Sequence, residues 1–210
     1  MAFVHREATL RPTKIEIVRE WLTAADWFDA VPETVVTSAP LSYRFDDPDG
    51  KVGIEALVAA YRGGFIQLPL TYREAPLDGA ESWLLTTMEH SVLGRRWIYD
   101  GVGDPVLATA IVNAIVGGAA SAALEFGPED DRRTAATSIQ ARGTGSGPIP
   151  MTLDVVSVER SEAVSTVHTS AGVLRVPHFL DPAARASAAA LVGNGDGLGS
   201  DVVLAEFDPA

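Results

Sequence analysis

The sequence predicts an α+β fold: an N-terminal helix, an antiparallel meander sheet, a second helix crossing it, and a small β-rich C-terminal subdomain. Three observations carry this reading. A capping sequence opens an amphipathic run at Thr13, strand-like texture sets in at Leu41 with period-two alternation from Ile66 to Tyr72, and a Gly/Pro-rich stretch sets off the C-terminal part. The expected boundaries are 1–142 for the first domain, 143–150 for a linker and 151–210 for the β-rich subdomain.

Thr13-Lys14-Ile15-Glu16 reads as a capping box, with Glu16 reaching back to the first amide. Ile15, Val18 and Leu22 recur on one face, which predicts a helix from Lys14 to Ala25. Tyr43 to Asp46 and Lys51 to Tyr61 flank the turn Asp47-Pro48-Asp49-Gly50 and read as strands. After Arg62-Gly63-Gly64, the residues Ile66, Leu68, Leu70 and Tyr72 alternate with Gln67, Pro69 and Thr71, the pattern of a half-buried strand. Pro69 lacks an N–H and predicts an edge position or a bulge. Trp83 to Glu89 supplies a further strand.

Asp104-Pro105 opens the second helix as N-cap and first-turn proline, and Gly117-Gly118 stop it. Ala122 to Phe126 and Ser138 to Arg142 read as strands around a charged loop, and Gly143 to Pro148 as a flexible connection. Thr152 to Arg160, Val164 to Thr169 and Gly172 to Pro177 read as three short strands. Asp181-Pro182 predicts a short Ala-rich helix ending near Val192, and Asp201 to Phe207 a last strand.

Composition narrows the function. A net charge of −12 over 210 residues argues against a nucleic-acid partner, which needs a basic patch. There is no cysteine, so disulfide and thiolate chemistry are excluded. Met1 to Glu7 is charged too early for a signal peptide. The apolar run Pro105 to Ala123 contains Asn113 and a glycine pair and reads as a buried helix rather than a membrane span. A cytoplasmic protein is expected.

The densest set of chemically useful side chains is Glu89, His90, Arg95, Arg96, Asp100 and Asp104, between an expected strand and an expected helix. A His beside a Glu suits general-base chemistry, and two arginines suit an anion. The competing account pairs Glu89 and Asp100 with the arginines as a structural pin, with Trp97 and Tyr99 packing, and we favour it. No catalytic residue is assigned. The histidines His5, His90, His168 and His178 are scattered, so neither a metal site nor a cofactor is expected. Asp47-Pro48-Asp49-Gly50 and Asn194-Gly195-Asp196-Gly197 lack the twelfth-position acid of a calcium loop. Gly143 to Gly147 is followed by prolines rather than by the helix that a phosphate loop requires.

Trp21-Leu22, Trp27-Phe28 and the stretch Met88 to Asp100, with Trp97 and Tyr99, resemble the N-terminal cap subdomain of actinobacterial maltokinases. Asp26 stands where an Arg is common in that motif. The chain as a whole is similar to stand-alone maltokinase cap-like proteins of the same bacteria, some of which are labelled glucan-branching proteins. The resemblance covers nearly all of Met1 to Arg142 and implies a cap-like, cystatin-like layout. Val156 to Pro177 resembles the first hairpin of a reduced kinase N-lobe, with Arg175 where a Lys is expected. No His-Gly-Asp loop or later metal-binding Asp follows, so phosphoryl transfer by this chain alone is not expected. The resemblance implies a non-catalytic accessory or regulatory module of glucan, maltose or trehalose metabolism. Its expected partner is a sugar kinase or a glucan-metabolising enzyme. The alternative is a sugar- or anion-binding protein, or an enzyme, using the cleft around His90. The oligomeric state is left open.

Overall fold

A computed structural model describes residues 8–127, 131–149 and 153–210. The readings made on Met1 to Glu7, His5, Pro150 and Thr152, and on part of the charged loop, lie outside the described residues. A two-residue strand, β1 (Leu10–Arg11), precedes α1 (Lys14–Thr23), and α2 (Pro32–Val35) follows it. The capping box forms as expected, with the Thr13 amide donating to the Glu16 carboxylate at 2.7 Å.

The meander comprises β2 (Leu41–Asp46), β3 (Gly53–Tyr61), β4 (Gly64–Arg73), β5 (Leu84–His90) and β6 (Gly94–Asp100). After α3 (Pro105–Gly117) come β7 (Leu124–Phe126), β8 (Arg133–Ala135) and β9 (Ile139–Gly143). The chain continues through β10 (Val155–Arg160), β11 (Val164–Thr169), β12 (Gly172–Pro177), β13 (Phe179–Leu180), β14 (Ala189–Gly195) and β15 (Gly199–Pro209). The helices are few and short, and antiparallel strands dominate the described residues.

The first sheet runs β1-β5-β6-β4-β3-β2, with β13 added to β4. The second runs β10-β11-β12-β15-β14-β9. One core lies between α1 and the first sheet, where Ile17, Trp21 and Leu22 meet Leu57, Ile66, Leu68 and Ile98. The other joins the opposite face of that sheet to α3 and the second sheet, through Tyr43, Ile54, Leu107, Ile111, Leu174 and Leu204. Because β9 pairs with β14, the second sheet is assembled from both sides of the Gly/Pro stretch.

That stretch, expected as a flexible connection, is packed against α3. The amides of Gly145 and Gly147 donate to the carbonyls of Ile115 and Val116 at 2.9 and 2.8 Å, supplying partners that the end of a helix lacks. A Cβ on Gly143 would lie 1.8 Å from the Ala114 carbonyl oxygen, so glycine is there for close approach.

Three further expectations change. The Ala-rich helix after Asp181-Pro182 is instead a turn followed by β14, because Ala190 and Leu191 are fully buried in a strand paired on both sides. Alanine's helix preference is small and tertiary pairing overrides it. Pro69 sits inside the sheet rather than at its rim, yet its nitrogen faces a local gap. Beyond β4, β13 reaches only Phe65–Ile66 and β6 only Leu70–Arg73. Finally, β4 is buried on both faces: Gln67 and Thr71 are as inaccessible as Leu68 and Leu70. Its polar residues line the junction with the second sheet and α3.

Candidate functional site

The segment around His90 is a β-hairpin, not a strand-to-helix passage. β5 and β6 pair with Glu89 opposite Arg95 and His90 opposite Gly94. Glu89 and Arg95 form a 2.8 Å ion pair, and both side chains are about 60% exposed. His90 Nδ1 accepts the amides of Val92 and Leu93, each at 3.1 Å, and so closes the hairpin turn. Arg96 donates to the carbonyl of Arg95. Trp97 is half-buried and belongs to neither core. Tyr99 is buried and its hydroxyl accepts the Leu77 amide at 2.8 Å. Asp100 stands five residues along β6 from Arg95, about 17 Å away at strand rise. The hairpin therefore unites Glu89, His90, Arg95 and Arg96 on the surface and leaves Asp100 and Asp104 elsewhere.

Those two acids flank the 3-10 turn Gly101–Gly103, and both are buried. The Asp100 carboxylate accepts Trp21 Nε1–H at 3.2 Å and the Val102 amide at 3.3 Å, and it is held by the guanidinium of Arg160. The arginine expected from the hairpin is thus replaced by one from β10. Burial pushes the Asp100 carboxyl above its ordinary value; Arg160, the Val102 amide and Trp21 each act against that push. The Arg160 guanidinium also lies 4.8 Å from the ring centroid of Trp83. Gly103 approaches Trp83 so closely that a Cβ would lie 2.2 Å from the ring.

Asp104 caps α3 through the Val106 amide, as expected, at 3.0 Å. Arg73 engages both of its oxygens at 2.7 and 2.8 Å, and the Thr71 hydroxyl donates at 2.8 Å. A third junction forms at Gln67. It accepts the Tyr43 hydroxyl at 2.9 Å and donates to the carbonyls of Pro177 and Leu204.

The tryptophan signature closes the seam. Trp27 stacks on His178 at 4.9 Å, Trp21 meets the same imidazole edge-on at 5.7 Å, and Phe28 packs on Trp27 and Tyr61. His178 Nε2 lies 2.8 Å from Ser165 Oγ and its Nδ1 3.1 Å from the Glu162 carbonyl. Desolvation lowers the imidazole to about 4, so it is neutral near pH 7. This resembles a nucleophile–base pair, but Ser165 and His178 are only 1% and 2% exposed. Both are placed to hold the sheets together.

Sequence reasoning missed Arg73, Arg160, His178 and Gln67. The polar residues of β4 are a usable signal: Gln67 and Thr71, read as one side of a half-buried strand, need partners once that side is covered. Arg160 and His178 carry no local signal, because Asp100 lies 60 residues from Arg160 and the rings packed on His178 come from the N-terminal segment. Among the described residues no three His, Asp or Glu side chains cluster as metal ligands, and no helix is long and apolar enough to cross a membrane.

Fold and seam together define a two-sheet module whose first sheet carries a tryptophan-and-acid signature fastened to the second. Residues 21–104 match the family model of the maltokinase N-terminal cap domain, so this part of the chain is similar to that domain. No curated protein matches the chain.

Proposed function

We propose that the protein is a non-catalytic accessory or regulatory module of sugar-kinase metabolism. It works in the cytoplasm, in glucan, maltose or trehalose turnover, and docks on a maltokinase-like kinase or a glucan-metabolising enzyme. The observation that carries this reading is the cap-domain match over residues 21–104. It is supported by the chemistry of the seam, where the carboxylates of Asp100 and Asp104 are both engaged by arginines of the same chain. A structural pin of this kind leaves no carboxylate free for acid–base work. The alternative of a ligand site around His90 has less support, because both the Glu89–Arg95 pair and the imidazole Nδ1 are already used within the hairpin.

The test is to add the purified protein to a maltokinase and follow ATP-dependent maltose phosphorylation, alongside calorimetric titration of one protein into the other. The expected result is saturable binding with a change in the kinase's kcat or KM, and no maltose phosphorylation by the protein alone. Magnesium-dependent turnover by the protein alone, or no binding to the kinase, overturns the reading.

A further inference from the structure

A cleft of about 190 Å³ lies on the outer face of the second sheet, beneath the segment that links β13 to β14. It is separate from the hairpin and abuts the seam, where Phe179 packs edge-on against Trp27. Its floor is apolar, formed by Pro177, Phe179 and Val203. Around this floor stand two cations, Arg175 and Arg185, and two anions, Asp181 and Glu206.

Each charged group is fixed by its own scaffold through one atom. Glu206 Oε1 accepts the amide and hydroxyl of Ser187, at 2.6 and 3.1 Å. Arg185 Nη1 donates to the carbonyls of Pro182, Ala183 and Ala184. Asp181 Oδ1 accepts the Ala183 amide at 2.8 Å, and Arg175 Nη1 is paired with Asp208. Among the described residues, the second oxygens of Glu206 and Asp181 and the remaining guanidinium N–H groups of Arg175 and Arg185 make no hydrogen bond. The cleft therefore holds oriented acceptors and donors over an apolar floor.

We propose that this cleft binds a neutral polyhydroxylated ligand of monosaccharide size. The reasoning is chemical. A hydroxyl both donates and accepts, so a vicinal diol is matched by a carboxylate on one side and a guanidinium on the other. The C–H face of a sugar ring suits the apolar floor. An anion would meet the carboxylates of Asp181 and Glu206 in a chain of net charge −12. The volume lies below that of ordinary drug-sized pockets, which limits the ligand to one ring.

The experiment uses the full chain with D-glucose as probe, read by saturation-transfer NMR and titration, and compares wild type with Arg185→Ala and Glu206→Gln. Arg185 is exposed, and glutamine retains an acceptor for Ser187, so both variants keep the fold; unchanged melting temperatures check this. A ligand of so few atoms is expected to bind with a Kd of about 1 mM. Each variant is expected to weaken binding about 10-fold, the loss of one charge-assisted hydrogen bond. No saturable binding by wild type up to ~50 mM overturns the proposal. Equal binding by both variants does so as well, and so does inorganic phosphate competing for the site. No arm uses a kinase, so failure here leaves the proposed accessory role standing, and the reverse holds.

Discussion

Replacing Arg160 by Ala should destabilise the protein by about 3 kcal/mol at pH 7, and by clearly less at pH 4. The magnitude follows from what remains around Asp100. Its side chain is 3% exposed, whereas that of Arg160 is 31% exposed, so the carboxylate cannot recover its hydration when the guanidinium goes. Breaking a buried pair from one side costs 3–5 kcal/mol typically, and the partial exposure of Arg160 places this case at the lower end. The two remaining donors, Trp21 Nε1 and the Val102 amide, stand at 3.2 and 3.3 Å and compensate weakly. The lost contact of Arg160 with Trp83 adds a smaller loss. The pH dependence has a definite sign. Burial already raises Asp100 above its ordinary 3.8, and Arg160 is the largest influence opposing the rise. In the variant the folded state binds this proton more tightly still. Stability from such a group is fully present below the unfolded value and is lost as pH rises through the folded one. The deficit against wild type therefore grows from pH 4 upward. Urea unfolding followed by tryptophan fluorescence, at pH 4 to 7, on wild type, Arg160→Ala, Asp100→Asn and the double variant gives both the deficit and the coupling. An equal deficit at pH 4 and pH 7, or a coupling near zero, refutes the reasoning.

Wild type should lose up to about 3 kcal/mol as pH falls from 6.5 towards 4, because His178 is depressed to about 4 in the fold and must take up a proton on unfolding. His178→Gln should flatten that part of the stability–pH curve in chemical denaturation. Gln67→Leu should cost about 2–4 kcal/mol, since it strands the Tyr43 hydroxyl and the carbonyls of Pro177 and Leu204; thermal unfolding measures this. Arg95→Ala should stay within roughly 0.5 kcal/mol, because its pair with Glu89 is surface-exposed, and a melting-temperature comparison with Arg160→Ala separates the hairpin from the seam.

What was legible in the sequence was local. The capping box at Thr13, the Asp104-Pro105 helix start and the strands Val164–Thr169 and Gly172–Pro177 depend on neighbours a few residues away, and each stands where it was expected. The misread elements depend on distant partners. Ala189–Gly195 is a strand because β9 and β15 occupy its two edges, which no window around Ala189 reveals. Met88 to Asp100 was recognisable as the strongest part of the cap signature, yet the charges within it were assigned to one another. Strand geometry forbids that pairing for Asp100, which faces the α1 side beside Leu70, at the far end of β6 from Arg95. Trp97, expected to pack, is half-buried: it shares a face with Tyr99 but lies nearer the hairpin end of β6, outside both cores. The likeness of Trp21 and Trp27 to a core signature was legible; their contact with His178 was not.

The family match ends at Asp104, but the physical unit does not. Three of the interactions that fix residues 21–104 come from beyond it: Arg160 on Asp100, the Pro177 and Leu204 carbonyls on Gln67, and His178 against Trp21 and Trp27. Backbone pairing adds a fourth, since β13 extends the first sheet along β4, with Phe179 opposite Ile66. A fragment cut at residue 104 would expose Leu107 and Ile111's partners on the first sheet, including Tyr43, Phe45 and Ile54, and would leave Asp100 buried without its counter-charge. The cap-like segment is therefore stable as half of a two-sheet structure, with Trp21, Trp27 and Tyr99 turned inward. On the proposed accessory role, a partner would be recognised by residues that the seam leaves outside, such as the hairpin tip with exposed Val92 and Leu93. Within the stretch Met88 to Asp100 that carries the resemblance, Met88, Ile98 and Tyr99 are buried, and Val92 and Leu93 are what it offers to a partner.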